Sequence, residues 1–179
     1  TGQFNVVDMT LDGNAYLERY NAEEMDAIRW LRQAPLGVVV EAIGGSYNAS
    51  FARVSALSGQ PTILGWPGHE SQWRGGDELF RDRAGDVEQI YRSNGWIETL
   101  ALLQKYQVRY IFVGQAETST YQVNTQKFDA NLKPVFQNAG ATQKATSDWL
   151  RSIVFRLITP NTSGRSERVP SMTQMSSSD

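Results

Sequence analysis

A short run of β-branched residues constrains the fold of this chain more than any other feature of its sequence. Residues 37–42 read Gly-Val-Val-Val-Glu-Ala, an almost continuous apolar stretch that lacks the alternation of a half-exposed strand. Such a run is typical of a strand covered on both faces, as in a parallel sheet. We therefore expect a buried sheet with helices packed against it.

Helical and strand patterns alternate along the rest of the chain, which favours an α/β fold. A capping box formed by Asn21 and Glu24 predicts a helix over 22–33. Further elements are predicted as helices over 48–57, 86–91, after Asn94 and over 127–138, and as strands over 61–65, 108–113, 141–145 and 150–158. The last two strands are expected to pair through residues 146–148. The predicted architecture is a three-layer αβα fold, whose mainly parallel sheet carries an antiparallel edge hairpin at its C-terminal end.

Length and composition predict one domain with a peripheral segment at each end. The chain has 179 residues, about the size of one domain. We expect residues 1–20 to form a lead-in segment, 21–159 a single α/β domain and 160–179 a flexible tail rich in Ser and Thr. A net charge of −2 argues against nucleic acid as a partner. With no cysteine and one histidine, the chain offers no thiolate or multi-histidine metal site, and no cofactor is predicted.

Residues that could carry chemistry follow the ends of the predicted strands. In open α/β sheets, ligands bind beyond the carboxyl ends of the strands. The candidate site residues at those positions are Glu41, Ser46, Tyr47 and Arg53, then Trp66, His69, Glu70, Trp73 and Arg74, and finally Glu117. Aromatic faces beside forked hydrogen-bonding groups suit sugars and phosphates. The sequence therefore predicts a ligand site at this edge of the sheet.

Simpler structural explanations also fit several of these residues. Glu70 and Arg74 stand four residues apart, which suits a surface ion pair on a helix worth about 0.3–0.5 kcal/mol. Trp66 and Trp73 also fit a cover over the edge of the core. A carboxylate that closes a buried strand, Glu41, is expected to be half-buried, with its pKa raised by desolvation or with an arginine as its partner.

Segments spread over residues 10–145 resemble the carboxy-terminal soluble domain of the YYY family of multi-spanning membrane proteins. The most specific of them is Gly-Trp…His-Glu…Gln-Trp-Arg within 65–74. The others lie at 10–13, 26–31, 40–47, 53–56, 59–62 and 106–114. This family is similar to the type C glycosyltransferases, which use lipid-linked sugar donors at the outer face of the membrane. The resemblance implies an extracytoplasmic domain of a cell-membrane protein, whose partners are the membrane-spanning part of the same polypeptide and a lipid-linked sugar or other carbohydrate.

Three functions remain open at this point, and they leave open whether the chain belongs to an enzyme. In the first, the domain contributes a sugar or lipid-phosphate site but is not catalytic alone. In that case Arg53 and Arg74 meet phosphate, Trp66 and Trp73 stack on sugar, and His69 or Glu70 assists proton transfer. In the second, the Trp-rich loop of a non-catalytic interaction module packs on the membrane partner. The third is a free-standing small α/β hydrolase that uses His69 with Glu70 or Glu41.

Overall fold

The computed structural model describes residues 12–137 and 152–157, which form helices packed on a four-stranded sheet. The helices are α1 Gly13–Tyr20, α2 Ala22–Gln33, α3 Arg53–Ser58, α4 Pro67–Arg74, α5 Arg83–Arg92, α6 Trp96–Lys105, α7 Gln115–Tyr121 and α8 Thr125–Asn131. The strands are β1 Val38–Val40, β2 Val108–Val113, β3 Pro134–Gln137 and β4 Ile153–Arg156. The predicted α/β fold class is confirmed.

The sheet is mixed, with the strand order β1-β2-β4-β3. Strands β1 and β2 are parallel, and Val40 lies opposite Ile111. Strand β4 runs antiparallel to β2 on one side and to β3 on the other. A mainly parallel sheet is therefore not confirmed, because only one of the three described pairs is parallel. The strand predicted over 141–145 and the turn after it lie outside the described residues.

Three predicted elements differ from those observed. The helix expected over 48–57 is reduced to α3, because the Asn48 side chain accepts a hydrogen bond from the Ser50 backbone N–H and forms a turn instead. The strand expected over 61–65 is a single parallel bridge between Val39 and Thr62. The helix expected over 127–138 ends at Asn131, and Pro134 begins β3, since proline cannot continue a helical hydrogen-bond ladder.

Alternate residues of the strands pack into two separate hydrophobic clusters. Because successive side chains of a strand point to opposite faces, β1, β2 and β4 each contribute to both clusters. One cluster contains Val39, Tyr110, Phe112 and Val154 together with Ile28, Trp30 and Leu31 of α2. The other contains Val40, Ile111, Val113 and Phe155 together with Ile90 of α5, Leu103 of α6 and Phe128 of α8. Burial on both faces explains the apolar run in β1.

The predicted helix over 22–33 is confirmed as α2, and its cap is a variant of the expected box. The Asn21 side chain accepts from the Glu24 backbone N–H at 3.2 Å and donates to the Glu24 carboxylate at 3.0 Å. The Glu24 carboxylate is thus turned towards the start of α2, where it lies near the carboxyl ends of β1 and β2. Within the described residues, no helix has the length and apolarity needed to cross a membrane.

Candidate functional site

A cleft of about 1120 Å³ opens among segments that follow the carboxyl ends of β1 and β2. We call it the strand-end cleft. One wall comes from the loop after β1 and the start of α3, and another from α7, which follows β2. Its lining residues are Asp12, Gly13, Leu17, Asn21, Glu24, residues 47–53, Ala56, Leu57, Trp66, Gln115, Ala116 and Ser119. The cleft lies where the sequence predicts a ligand site.

Arg53 joins two glutamates in a buried ion network beside the cleft. Its Nε donates to Glu24, and its Nη1 and Nη2 donate to the two carboxylate oxygens of Glu117 at 3.2 and 3.0 Å. The three side chains, which we call the buried triad, are at most 6% exposed. Glu24 and Arg53 also belong to the cleft lining, so the triad forms part of its wall.

Burial and charge act in opposite directions within the triad. Burial by itself would lower the pKa of the Arg53 guanidinium, but the charges of Glu117 and Glu24 raise that pKa above its ordinary value. Burial raises the pKa of Glu24, and the charge of Arg53 offsets part of this rise. Arg53 therefore stays protonated, with its charge balanced by carboxylates that already contact it.

Glu117 and Glu41 organise the backbone at the strand ends. Glu117 accepts hydrogen bonds from the backbone N–H of Ala42 at 2.8 Å and of Gly114 at 2.9 Å. Glu41 accepts from the N–H groups of Val54 and Ser55 at 2.8 and 3.0 Å, at the first turn of α3.

The expectation for Glu41 is corrected in one respect. It is 1% exposed, so it is fully buried and not half-buried. Burial raises the pKa of Glu41, as expected for a desolvated carboxylate, while hydrogen bonds from Ser55 and the charge of Arg53 offset part of the rise. Because Glu41 accepts two backbone hydrogen bonds at the first turn of α3, its carboxylate acts as a cap for that helix.

Two aromatic side chains of the cleft contact the single histidine. The ring of His69 lies edge-on to Tyr47 at 4.4 Å and to Trp66 at 5.0 Å between ring centroids. The Trp66 indole N–H donates to the Phe51 carbonyl at 3.0 Å, which fixes the ring against the loop after β1. Tyr47 is 70% exposed, so most of this residue is accessible to a ligand. His69 contacts both rings and is not among the residues that line the cleft.

The remaining predicted site residues belong to α4 and its surroundings. Ser46 accepts from the Gly68 backbone N–H at 2.8 Å, which caps the first turn of α4. Glu70 accepts from the Gly65 N–H and from the Arg74 side chain, both at 3.1 Å, so it forms the surface ion pair that its spacing suggests. Trp73 is 86% exposed. Of the ten predicted site residues, only Tyr47, Arg53 and Trp66 line the cleft.

Several polar residues of the cleft have no counterpart among the predicted site residues. They are Asp12, Asn21, Glu24, Asn48, Ser50, Gln115 and Ser119. A sequence signal exists for Glu24, because it stands four and seven residues before Ile28 and Leu31, on the apolar face of α2. A carboxylate on such a face requires a buried partner, which here is Arg53.

Comparison with known protein families, with characterised proteins and with solved structures found no match to this chain. The described residues contain no group of three or more His, Asp or Glu side chains placed to hold a metal ion.

Proposed function

We propose that the strand-end cleft binds carbohydrate. We further propose that the chain is the extracytoplasmic domain of a multi-spanning cell-membrane protein similar to type C glycosyltransferases. It contributes a sugar-binding site to that protein and is not catalytic alone. The observation that carries this proposal is an open cleft in which the faces of Tyr47 and Trp66 stand beside polar side chains. The resemblance of the sequence to the YYY family supports the membrane-spanning partner.

The lining combines the two surfaces that a sugar needs. Aromatic rings can cover the apolar C–H face of a sugar ring, and planar amides and hydroxyls can bind its hydroxyl groups. Tyr47 and Trp66, with ring centroids 6.1 Å apart, provide the first surface. Asn48, Ser50, Gln115 and Ser119 provide the second. A concave site with a few placed polar groups is the usual form of a small-molecule site.

The carboxylates of the lining favour binding over catalysis by this domain. Glu24 already accepts from Asn21 and Arg53. Asp12 caps α1 by accepting from the Asn14 backbone N–H at 2.9 Å. A general acid or base must reach the proton it transfers, whereas both of these groups serve the fold.

One observation favours the alternative function, in which the chain is a non-catalytic interaction module. Trp73 and Leu79 are 86% and 74% exposed, and large apolar side chains on a surface are common in protein contacts. Trp66 does not join them, because it lies in the wall of the cleft. The described surface thus supports a contact through α4 in addition to a ligand site.

The three-layer αβα arrangement is part of the same proposal. It is supported by the two hydrophobic clusters, each of which takes alternate residues of the same strands. With helices over both faces, a sheet leaves its strand ends as the accessible edge. This placement is the one in which open α/β sheets bind ligands.

The test is a titration of the chain with neutral tetrasaccharides of glucose, mannose and N-acetylglucosamine, followed by NMR shifts and by calorimetry. We expect at least one of them to bind, and we expect Tyr47→Ala or Trp66→Ala to weaken that binding at least tenfold. Trp73→Ala is the matched control, since it removes an aromatic side chain outside the cleft and should leave binding unchanged. The proposal fails if no tetrasaccharide binds, or if Trp73→Ala weakens binding as much as Trp66→Ala does.

A further inference from the structure

Two contacts attach the loop after β1 to the first turn of α4. The Gly68 backbone N–H donates to the Ser46 hydroxyl at 2.8 Å. The ring of Tyr47 lies against that of His69, with 4.4 Å between the centroids. Trp66, the other aromatic residue of the strand-end cleft, directly precedes α4. The start of this helix therefore holds both aromatic residues that line the cleft.

The backbone conformation of Tyr47 requires support from its neighbours. Its φ is +66°, in the left-handed region that large side chains rarely adopt. Such a conformation persists only where the surrounding structure enforces it. Tyr47 is also largely exposed, so neighbours on few sides must hold it. Two of them belong to α4, namely the ring of His69 and the side-chain oxygen of Gln72, which accepts from the Tyr47 hydroxyl at 3.5 Å.

His69 contacts both aromatic residues of the cleft at once. Its ring is nearly perpendicular to each, at 78° to Tyr47 and 87° to Trp66. Edge-to-face contacts of this kind are favourable beyond the apolar area that they bury.

The relative position of Tyr47 and Trp66 matters to any ligand that touches both. Their ring centroids are 6.1 Å apart. A sugar ring between them would need about 7 Å, which is twice the usual contact distance between carbon atoms. A ligand must therefore lie across the pair, so its affinity depends on how the two rings are held.

We propose that His69 is a positioning residue of the strand-end cleft, which holds Tyr47 and Trp66 in the arrangement that binds sugar. It acts through these two rings, because it does not itself line the cleft. This inference rests on the proposed carbohydrate-binding function. It differs from the sequence-based hypothesis that His69 assists proton transfer, since contact between rings requires no proton to move.

The test compares two substitutions of His69 in titrations with the same glucose, mannose and N-acetylglucosamine tetrasaccharides. His69→Phe keeps an aromatic ring and removes both ring nitrogens, so affinity should stay within twofold. His69→Ala removes the ring, and affinity should fall at least threefold, because Tyr47 is then no longer held in its binding position. Trp73→Ala is the matched control and should change nothing, since Trp73 is an exposed aromatic residue of the same helix outside the cleft lining.

A second measurement follows the Tyr47 ring without any ligand. Three-bond couplings in NMR spectra should report one χ1 rotamer for Tyr47 in the unmodified chain and in His69→Phe. In His69→Ala they should report averaging between rotamers. Cooperative unfolding of each variant in urea separates a local change at Tyr47 from loss of the fold. Averaged couplings in the unmodified chain would overturn the inference.

Gly68→Ala tests the geometry while all three rings remain. A Cβ at this position would lie 2.7 Å from Oγ and 3.3 Å from Cβ of Ser46, so Ser46 and its loop must shift away from α4. Affinity should therefore fall at least threefold. The matched control is Gly85→Ala in α5, where the described residues leave room for a Cβ. Equal losses in the two variants would contradict the dependence on loop position.

The remaining outcomes distinguish this inference from the proposed function. If Tyr47→Ala and Trp66→Ala weaken binding but His69→Ala does not, the sugar site stands and the positioning role is wrong. If His69→Phe weakens binding as much as His69→Ala does, the imidazole nitrogens act directly and the positioning role is again wrong. If no tetrasaccharide binds, the proposed function fails and this inference fails with it.

Discussion

The buried carboxylates beside the strand-end cleft each accept more than one hydrogen bond. Glu117 accepts from Arg53, Ala42 and Gly114, and Glu41 accepts from Val54 and Ser55. A buried charge is tolerated only when it is paired and its lone pairs are occupied. Removing a single donor therefore leaves a desolvated acceptor, so substitutions here should affect stability more than surface substitutions do.

Arg53→Met should destabilise the fold strongly. It leaves Glu24 and Glu117 buried without their cation, and breaking a buried ion pair in this way costs about 3–5 kcal/mol. The free energy of unfolding, measured with urea, should fall by that amount. Arg53→Lys should lower the free energy of unfolding less, because lysine keeps the positive charge. Some stability should still be lost, since lysine cannot form the bidentate bond to Glu117.

The matched control for this substitution is Arg74→Met. It breaks the ion pair with Glu70, in which the arginine side chain is 48% exposed. Exposed pairs are worth at most about 1 kcal/mol, so the loss should stay within that range. A comparable loss in Arg53→Met and Arg74→Met would contradict the role given to the buried triad.

Glu41→Gln should change how stability depends on pH. Because burial raises the pKa of Glu41, the folded state binds its proton more tightly than the unfolded state does. The free energy of unfolding should therefore fall as pH rises from the ordinary carboxyl value of 4.5 through the raised pKa. One such group contributes a slope of at most about 1.4 kcal/mol per pH unit. Urea unfolding between pH 4 and 8 should show that the free energy of unfolding falls less steeply with rising pH in the variant.

Asp86→Asn is a control that should change the pH dependence of stability in the opposite direction. Although burial opposes it, hydrogen bonds from Lys105 and Tyr106 lower the pKa of Asp86 below its ordinary value. Asp86 thus contributes stability that is lost as pH falls, and the variant should lose less on acidification. If both variants change the pH profile in the same direction, the assignment of Glu41 is wrong.

At the scale of elements, a lysine of α8 holds the end of α5. Lys127 is 6% exposed, and its ammonium donates to the carbonyl and the hydroxyl of Ser93 at 2.7 and 3.2 Å. Ser93 directly follows the last residue of α5, where carbonyl groups lack helical partners and attract a cation. Burial nevertheless lowers the pKa of Lys127 to about 8.

The titration of the lysine side chains should reveal the burial of Lys127. The chain has four lysines, and one Cε signal should titrate near pH 8 in NMR spectra. Lys127→Met should remove that signal. Lys105→Met should instead remove one that titrates above the ordinary value, since a hydrogen bond to Asp86 raises the pKa of Lys105. A Lys127 signal near pH 10.5 would show that the ammonium is not buried between α8 and the end of α5.

Elements with strong local signals could be predicted from the sequence, and elements held by distant contacts could not. Helix α2 and strand β2 match their predicted bounds of 22–33 and 108–113, because a cap and a buried β-branched run are local. The apolar spacing within 127–138 fits a helix, yet part of that segment forms β3 against β4. Helix α7 has few apolar residues, so an apolar pattern does not predict it. It is held instead by hydrogen bonds that Glu117 and Tyr121 accept from the backbone N–H groups of residues 42 and 43.

The same limit applies to the candidate site. Tyr47, Arg53 and Trp66 could be placed in a cleft because they follow predicted strands. The pairing of Arg53 with Glu24 and Glu117 could not be predicted, since these residues stand 29 and 64 positions away along the chain. From the sequence alone, an arginine that follows a strand suggests a phosphate site. In the structure, Arg53 instead balances the charge of buried carboxylates.

At the scale of the whole molecule, the sheet depends on a strand from the C-terminal part of the chain. Strand β4 lies between β2 and β3, and among the described strands β3 pairs only with β4. Val154 and Phe155 are 0% exposed and enter different hydrophobic clusters. Residues 153–156 therefore connect both parts of the core, although the helices around the strand-end cleft all precede them.

A chain that ends at residue 151 should consequently fail to fold. It loses β4, so β2 loses its antiparallel neighbour and β3 loses its described partner. We expect no cooperative transition in urea and poorly dispersed NMR spectra. A chain that ends at residue 159 keeps β4 and ends at the predicted domain boundary, so its free energy of unfolding should stay within about 1 kcal/mol of that of the full chain. Cooperative unfolding of the shorter chain would contradict the central position of β4, and a large loss in the longer one would place the boundary beyond residue 159.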